Sequence, residues 1–336
     1  IGNGLWGLHE NAFLAPLILW LFYFSEKDCT LGAVIFAVLL LCVKEDAAMY
    51  LAIIALYYIV SGKSLARNFI LLALSLLCFG AVTMLMQKYG LGVMSDSRFG
   101  NYIGEDGSLF TMIRSVIENP SFTLAQVFTT DKLLFLLQMF MPLCFLPFLG
   151  KKPARLILFI PMLLINLMTR YSYGYDIYFQ YTLGSAAILF YLSVAAYSEM
   201  GEKRKKTLIC ATLCSTVMAC STYLSPGYLG RTDDVKQRNE EIKQALSVIP
   251  DDASVAATDS PSGNLTERDE LYYINSANKI YSDVPKDVEY YAIRRGHGWE
   301  RMEEVIEKLR DTDGLTEIVT TENIVIFKNE NAGAGK

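Results

Sequence analysis

The sequence predicts an α-helical bundle of about eight membrane spans, followed by a small α/β domain outside the membrane. Three observations support this fold class. The 336 residues are 52% hydrophobic, and the apolar residues form long runs that a soluble core does not need. Basic residues concentrate in alternate connections between those runs. From residue 225 onward the chain is polar, with 22 acidic and 14 basic residues.

Eight apolar runs correspond to the eight predicted helices. They span approximately 11–24, 29–43, 47–60, 69–86, 133–149, 156–169, 180–197 and 207–223. Several are shorter than the roughly 20 residues with which an α-helix crosses a hydrocarbon core of about 30 Å. We expect residues 1–224 to form the transmembrane domain and residues 225–336 to form the soluble domain.

The basic residues predict the orientation of the chain in the membrane. The connections after the first, third, fifth and seventh runs carry Lys27, Lys63, Arg67, Lys151, Lys152, Arg155, Lys203, Arg204, Lys205 and Lys206. Short loops rich in lysine and arginine stay on the cytoplasmic side. We therefore expect the alternate connections, both ends of this chain and the C-terminal domain to be extracytoplasmic in a multi-pass protein of the cell membrane.

The stretch LCVKEDAAMY interrupts an apolar segment with three consecutive charges, Lys44, Glu45 and Asp46. Consecutive helical residues point about 100° apart, so three charges in mid-span would not all avoid lipid. Each would cost roughly 2.5 to 3.5 kcal/mol at the bilayer centre. We therefore expect them at the outer tip of a helical hairpin between the second and third spans. A solvated turn that simply stops two helices explains the same charges equally well.

Two further polar groups are expected on the same side. His9 and Glu10 precede the first span, where capping of the helix by Glu10 or Asn11 is the simpler explanation. The outer loop 87–132 contains Arg98 and an amphipathic stretch over 108–118 that predicts an interfacial helix. At 46 residues this loop is too long for a passive connector.

The segment TRYSYGYDIYFQYTLG, residues 169–184, is the fourth polar group on this side. Its candidate ligand contacts are Arg170, Tyr171, Asp176, Gln180 and Tyr181. Tyrosine is enriched at membrane interfaces, so an aromatic belt is the simpler explanation. An arginine, an acid and a carboxamide beside aromatic rings are also the groups that a sugar or phosphate site uses. Tyr191, further along the chain, is grouped with these tyrosines.

The polar segment from residue 225 predicts the helices and strands of an α/β domain. The patterns indicate a helix over 233–249, strands at 253–259, 270–274 and 288–293, a second helix over 298–311 and a hairpin over 316–328 that turns near Glu322. This mixture of short strands and amphipathic helices is typical of a small globular domain.

Other functional classes receive little support from the sequence. The seven cysteines lie in or beside apolar runs, which indicates buried thiols rather than disulfides. The two histidines, His9 and His297, show no spacing typical of a metal site. The only dense basic run, residues 203–206, is explained by topology, so nucleic-acid binding is disfavoured.

At these residues the chain resembles a family of prokaryotic multi-pass membrane proteins known as domain of unknown function 2079. The matching features are HENAFLAPLILWLFYF, LLLCVKEDAAMYLAIIALYYI, YFQYTLGSAAILFYL and IPDDASVAATD, which together cover most of the chain from about residue 7 to 328. That family looks like the GT-C superfamily of membrane glycosyltransferases, which take sugars from polyprenyl-phosphate donors. In such enzymes the decisive acid usually follows the first span, so we expect a span upstream of Ile1.

With this resemblance, the leading hypothesis is a transferase acting on a polyprenyl-phosphate-linked sugar at the outer face of the membrane. The catalytic carboxylate would be one of Glu10, Glu45 and Asp46, acting on the acceptor hydroxyl or holding a divalent cation. The substrate-binding residues would be His9, Lys44, Arg98, Arg170, Tyr171, Asp176, Gln180 and Tyr181. The alternative is a non-catalytic transporter or flippase of lipid-linked precursors, or a scaffold in envelope assembly.

Overall fold

The computed structural model describes residues 9–89, 95–103, 109–223, 226–274, 288–296 and 301–332. The chain divides into two compact units, Ile1–Leu224 and Ser225–Lys336. The described part of the first unit is helical, whereas the second combines helices with a five-stranded sheet. A mostly helical chain with a small mixed sheet near its C-terminus confirms the coarse fold class that the sequence predicts.

The helical unit contains ten α-helices within its described residues. They are α1 (Leu14–Glu26), α2 (Thr30–Leu41), α3 (Ala47–Val60), α4 (Leu65–Lys88), α5 (Ser95–Ile103), α6 (Leu109–Glu118), α7 (Pro120–Val127), α8 (Thr130–Phe140), α9 (Leu183–Ser198) and α10 (Glu202–Tyr223). Most of these helices are rich in leucine, isoleucine, valine and alanine, as the apolar runs require.

The fifth and sixth apolar runs do not form continuous α-helices. Helix α8 ends at Phe140, and two residues in left-handed conformation follow it, Cys144 and Phe145, with φ of 49° and 54°. The sixth run consists of a 3₁₀ helix over Pro153–Phe159 and a π-helix over Met162–Leu167. Four prolines, at 142, 147, 153 and 161, remove backbone donors here, which favours short helical pieces.

Helical segments lie at all eight apolar runs, but eight membrane spans are not confirmed. Within the described residues, two helical segments are long and apolar enough to cross a membrane, Leu65–Met86 and Gln180–Ser198. The others are shorter; the 14 residues of α3, for example, extend about 21 Å at 1.5 Å per residue. That length is less than a hydrocarbon core of about 30 Å.

Helix α4 presents most of its apolar side chains to the outside of the unit. Only 11% of its most apolar window is buried, and the side chains of Leu77 and Met84 are each 72% exposed. Leu31 on α2 is equally exposed. Contiguous exposed apolar surface of this kind is typical of a helix that contacts lipid.

The predicted outer loop 87–132 contains three helices, α5, α6 and α7, although residues 90–94 and 104–108 lie outside the described part. Helix α6 occupies the amphipathic stretch predicted over 108–118. Met112 on α6 is buried, whereas Ile113 and Ile117 are 58% and 73% exposed. Its location at the membrane interface remains a prediction.

The core of the helical unit depends on a close approach between α3 and α9. Tyr50 on α3 is 1% exposed, and its ring packs directly against Gly184 in the first turn of α9. A side chain larger than hydrogen at residue 184 would occupy the space of the Tyr50 ring. Gly184 therefore allows α9 to approach the aromatic core.

Replacing Gly184 by Ala is expected to lower the thermal unfolding midpoint of the protein, because overpacking costs about 1 to 3 kcal/mol. Gly80→Ala on α4 is the matched control, since no atom lies within 4 Å of the position its Cβ would take. Fluorescence-detected thermal unfolding of the purified full chain in detergent compares the two variants. Equal midpoints would contradict the close contact between Gly184 and Tyr50.

The second unit contains a mixed sheet covered by helices on both faces. The strands are β1 (Val255–Ala257), β2 (Leu271–Tyr273), β3 (Tyr290–Arg294), β4 (Leu315–Thr320) and β5 (Ile324–Asn329), in the order β2-β1-β3-β5-β4. Strand β1 is parallel to β2 and β3, whereas β5 is antiparallel to β3 and β4. The predicted strands and the predicted hairpin are therefore present.

Three helices accompany this sheet, α11 (Pro226–Leu246), the short α12 (Asp259–Ser262) and α13 (Arg301–Arg310). Ile242 on α11 packs in one buried cluster with Ile326, and Ile306 on α13 packs in another with Phe327. Because Ile326 and Phe327 are neighbours on β5, they point to opposite faces of the sheet. The two helices therefore cover opposite faces.

Candidate functional site

Polar side chains of the helical unit gather at the two ends of its main helices. Helices α1, α3 and α9 each begin near one group of polar residues and end near the other. At the first end lie Glu10, Lys44, Asp46, Arg98 and Tyr181, hereafter the triplet cluster. It contains two members of the charged triplet and five of the eleven candidate residues that the sequence predicts.

Glu10 connects the start of the first helix to the charged triplet. Its Oε1 lies 3.4 Å from Lys44 Nζ, and its Oε2 lies 2.9 Å from His9 Nδ1. His9 Nδ1 also accepts a hydrogen bond from the backbone N–H of Asn11, at 3.4 Å. His9 is therefore the capping side chain of the 3₁₀ turn Glu10–Phe13, which precedes α1, and the expectation that Glu10 or Asn11 caps it is wrong.

Two cations meet at the ring of Tyr181. Lys44 Nζ lies 5.4 Å from the ring centre, and Arg98 Cζ lies 4.9 Å from it. Tyr171 contacts Tyr181 edge to face with ring centres 5.7 Å apart, and Arg98 also lies 5.8 Å from the Tyr171 ring centre. A guanidinium or ammonium group over an aromatic face is held by the ring quadrupole, which keeps both cations near this tyrosine pair.

Backbone contacts hold α5 against the segment that carries the tyrosines. The carbonyl of Arg98 accepts hydrogen bonds from the backbone N–H of Arg170 at 2.8 Å and from Thr169 Oγ1 at 3.4 Å. The guanidinium of Arg170 lies against Gly100, 3.0 Å from the position that a Cβ would take there. Arg170 is exposed, so it borders the site rather than filling it.

Asp46 is the carboxylate of this site whose surroundings differ most from water. The residue is half-buried, but its Oδ1 is enclosed and has no hydrogen-bond partner among the described residues. Burial raises the pKa of the Asp46 carboxyl; Glu45 adds to the rise, and Lys44 and Arg98 oppose it. A carboxyl with a raised pKa is suited to accept or donate a proton nearer neutral pH.

The tyrosine pair is half-buried. Burial is the largest cause that raises the pKa of Tyr171 to about 12, and the neighbouring Tyr181 adds to it. The Tyr171 phenol is therefore neutral at physiological pH, and the pair presents hydroxyl groups and ring faces. Neutral aromatic walls of this kind pack against sugar rings and supply hydrogen bonds at their edges.

Asn166, which the sequence analysis did not select, supports the tyrosine segment from below. Its Nδ2 donates to the carbonyl of Gly174 at 2.6 Å and to the carbonyl of Tyr181 at 3.2 Å, and its Oδ1 accepts from Ser185 Oγ at 2.6 Å. The side chain is fully buried in the π-helix. A lone asparagine inside an apolar run is the signal that could have identified it.

Three candidate residues do not join the triplet cluster by direct contact. Asp176 Oδ1 accepts a hydrogen bond from the backbone N–H of Tyr178 at 2.9 Å, which stabilises its own turn. Glu45 acts on Asp46 through its charge. Gln180 begins a short 3₁₀ helix, and within the described residues no hydrogen bond connects its side chain to the cluster.

Tyr191 belongs to the opposite end of the helical unit, so its grouping with the outer tyrosines is wrong. Its hydroxyl donates to Glu26 Oε1 at 2.8 Å, and Glu26 also accepts from Tyr58 at 3.0 Å and from Lys63 at 2.6 Å. Tyr191 follows Tyr181 by more than two helical turns, so α9 places it toward the opposite end of the unit.

The same end contains a second ion pair. Arg155 Nη2 lies 2.9 Å from Glu199 Oε1, and Glu199 Oε2 accepts the backbone N–H of Lys151 at 3.0 Å. That N–H is the largest cause that lowers the pKa of the Glu199 carboxyl. The contacts at this end thus involve all four connections in which basic residues concentrate, joined in two pairs.

In the described ranges, no group of three or more His, Cys, Asp or Glu side chains lies close enough to hold a metal ion.

Helices with outward-facing apolar side chains and polar clusters at their ends are typical of a membrane protein. The chain belongs to the family described as predicted membrane protein DUF2079, whose model matches residues 1–317. This match confirms the family resemblance and implies a lipid bilayer as the environment of the protein. No curated protein matches the sequence.

Proposed function

We propose that this protein is a membrane transferase that takes a sugar from a polyprenyl-phosphate donor at the triplet cluster. The observation that carries the proposal is the enclosed, unpartnered Oδ1 of Asp46 beside Lys44 and Arg98. A proton acceptor adjacent to two cations is the combination that transfer from a phosphate-linked donor uses. The tyrosine pair supplies the wall on which the sugar packs.

The phosphate of the donor is assigned to Lys44 and Arg98. Lys44 Nζ and Arg98 Cζ both lie within 5.4 Å of the centre of the Tyr181 ring, and we assign one diester phosphate to the two of them. Arg98 offers two parallel N–H donors for phosphate oxygens, whereas Lys44 acts as a compact charge that Glu10 holds in place. Arg170 borders the same region and completes its positive rim.

The chemical step follows from this arrangement. The acceptor hydroxyl oxygen attacks the anomeric carbon of the sugar, and the bond between that carbon and the phosphate oxygen breaks. The lipid phosphate leaves with the bonding electron pair, and Lys44 and Arg98 stabilise the charge that develops on it. The proton of the acceptor hydroxyl passes to the Asp46 carboxylate, so Asp46 is the general base.

Chemistry at a membrane surface is favoured over transport by the position of the polar groups. A transporter places its binding site near the bilayer midplane, at interrupted helices. Here the charged candidate residues lie in the turns at one end of α1, α2 and α3, and basic residues lie in the turns at the other. This division supports an extracytoplasmic triplet cluster and eight membrane-embedded segments of unequal length.

Replacing Arg98 by Gln is expected to weaken the binding of a fluorescent polyprenyl phosphate by about tenfold or more, because one charge-assisted contact contributes about 1.5 to 3 kcal/mol. Titration of the purified full chain in detergent measures the dissociation constant. Arg114→Gln is the matched control, since Arg114 lies in the same loop but is exposed and paired with Glu118. Equal loss of binding in both variants, or no loss in either, would count against the proposal.

A further inference from the structure

Arg67, in the first turn of α4, is buried without a partner. The residue is 7% exposed, and its Nε, Nη1 and Nη2 atoms are all enclosed with no hydrogen-bond acceptor among the described residues. In the sequence, Arg67 is one of the basic residues that predict topology. The structure shows instead a guanidinium that is removed from water and from every described carboxylate.

The carboxylates of the neighbouring turns already have other partners. Glu26 accepts hydrogen bonds from Tyr58, Lys63 and Tyr191. Asp28 accepts one from Ser64, at 2.8 Å, directly before α4 begins. Glu26 and Asp28, the carboxylates near the start of α4, therefore have hydrogen-bond partners, whereas the Arg67 guanidinium has none among the described residues.

An ionised guanidinium in this position calls for an anion. An unpaired buried charge is strongly unfavourable, because its desolvation is not offset by a partner. The start of a helix adds a partial positive charge and unpaired backbone N–H groups, which make a cation there still less favourable and an anion more favourable. Helix α4 has 24 residues, so this dipole is fully developed.

The phosphate group of an anionic lipid is an anion that a membrane contains near the start of α4. The candidate span Leu65–Met86 begins two residues before Arg67, which places Arg67 about 3 Å along the helix axis from the start of the span. If this helix crosses the membrane, that level is the edge of the hydrocarbon core, next to the lipid headgroups.

We propose that Arg67 and the first turn of α4 bind a phosphate group, at the end of the helical unit opposite the triplet cluster. The guanidinium donates paired N–H groups to two phosphate oxygens, and the first backbone N–H groups of α4 face the same anion. This site is separate from the proposed transferase site and does not depend on it. The phosphate comes either from an anionic phospholipid or from free phosphate in solution.

Native mass spectrometry of the full chain in detergent tests the proposal with phosphatidylglycerol, diacylglycerol and inorganic phosphate as probes. We expect one phosphatidylglycerol molecule to bind about tenfold more tightly than diacylglycerol, and Arg67→Gln to remove that preference. Arg67→Lys keeps the charge and should retain part of it. Lys27→Gln is the matched control, because Lys27 is basic and exposed at the same end.

The source of the phosphate is distinguished by competition. If millimolar inorganic phosphate displaces phosphatidylglycerol, the site takes a free anion; if it does not, the lipid headgroup is the ligand. Equal affinity of the unmodified protein for phosphatidylglycerol and diacylglycerol, together with no binding of inorganic phosphate, would overturn the proposal without any variant. The proposal would also fail if Arg67→Gln, folded, bound phosphatidylglycerol as tightly as Lys27→Gln.

Discussion

Replacing Asp46 by Asn is expected to lower the rate of sugar transfer by about 10²- to 10⁴-fold, the usual contribution of a general base. The amide keeps the shape of the side chain but does not accept the proton of the acceptor hydroxyl. Binding of the donor should change much less, because Lys44 and Arg98 remain. The measurement is transfer of radiolabelled sugar from a polyprenyl-phosphate donor by membranes that contain the full-length protein.

Glu45→Gln is the matched control for this variant. Glu45 is the adjacent residue in the same turn, but it acts on Asp46 through charge alone. We expect it to retain most of the activity. Unchanged transfer by Asp46→Asn, or an equal loss in both variants, would contradict the assignment of Asp46 as the base.

The pH dependence of the same reaction follows from the raised pKa of Asp46. A general base acts in its deprotonated form, so transfer should increase with pH until the raised pKa is passed and then level off.

The stability of the folded protein should change with pH in the opposite direction. The folded protein holds the Asp46 proton to a higher pH than the unfolded chain, whose value is near 3.8, so the free energy of unfolding falls as pH rises between the two pKa values. Asp46→Asn should remove that part of the decrease.

The sequence predicts the secondary structure of the chain better than it predicts the spans. Apolar periodicity located the helices, and the turn signal near Glu322 located the antiparallel β4 and β5 hairpin. The eight predicted spans are not confirmed, because most of the helices are short and because hydropathy does not register the left-handed Cys144 or the π-helix at Met162–Leu167. Those irregularities depend on tertiary contacts and on proline positions, which a window average ignores.

The sequence predicts residues of the candidate site where several charged or aromatic residues occur together, and it does not single out isolated polar residues. The triplet of Lys44, Glu45 and Asp46 is conspicuous because three charges interrupt an apolar run. Asn166 and Arg67 are single polar residues, and their importance depends on burial, which composition does not report. An isolated polar residue in an apolar stretch therefore merits the same attention as a cluster.

Replacing Asn166 by Leu is expected to destabilise the protein strongly and to displace the tyrosine segment. The variant leaves the carbonyls of Gly174 and Tyr181 without their donor and the hydroxyl of Ser185 without its acceptor. Each buried polar group left unpaired costs about 1 to 3 kcal/mol. Even with partial relaxation, we expect a loss of about 3 kcal/mol or more, visible as a much lower thermal unfolding midpoint of the full chain in detergent.

Ser185→Ala separates this network from a general packing effect. It removes one hydrogen bond to Asn166 but leaves both contacts that Asn166 makes with the tyrosine segment, so its midpoint should lie between those of the unmodified protein and Asn166→Leu. Binding of polyprenyl phosphate should follow the same order, because Asn166 holds the Tyr181 backbone beneath the ring that Lys44 and Arg98 approach. If Asn166→Leu unfolded at the midpoint of Ser185→Ala, the two carbonyl contacts would contribute nothing measurable, and the tyrosine segment would have to be held by its aromatic packing alone.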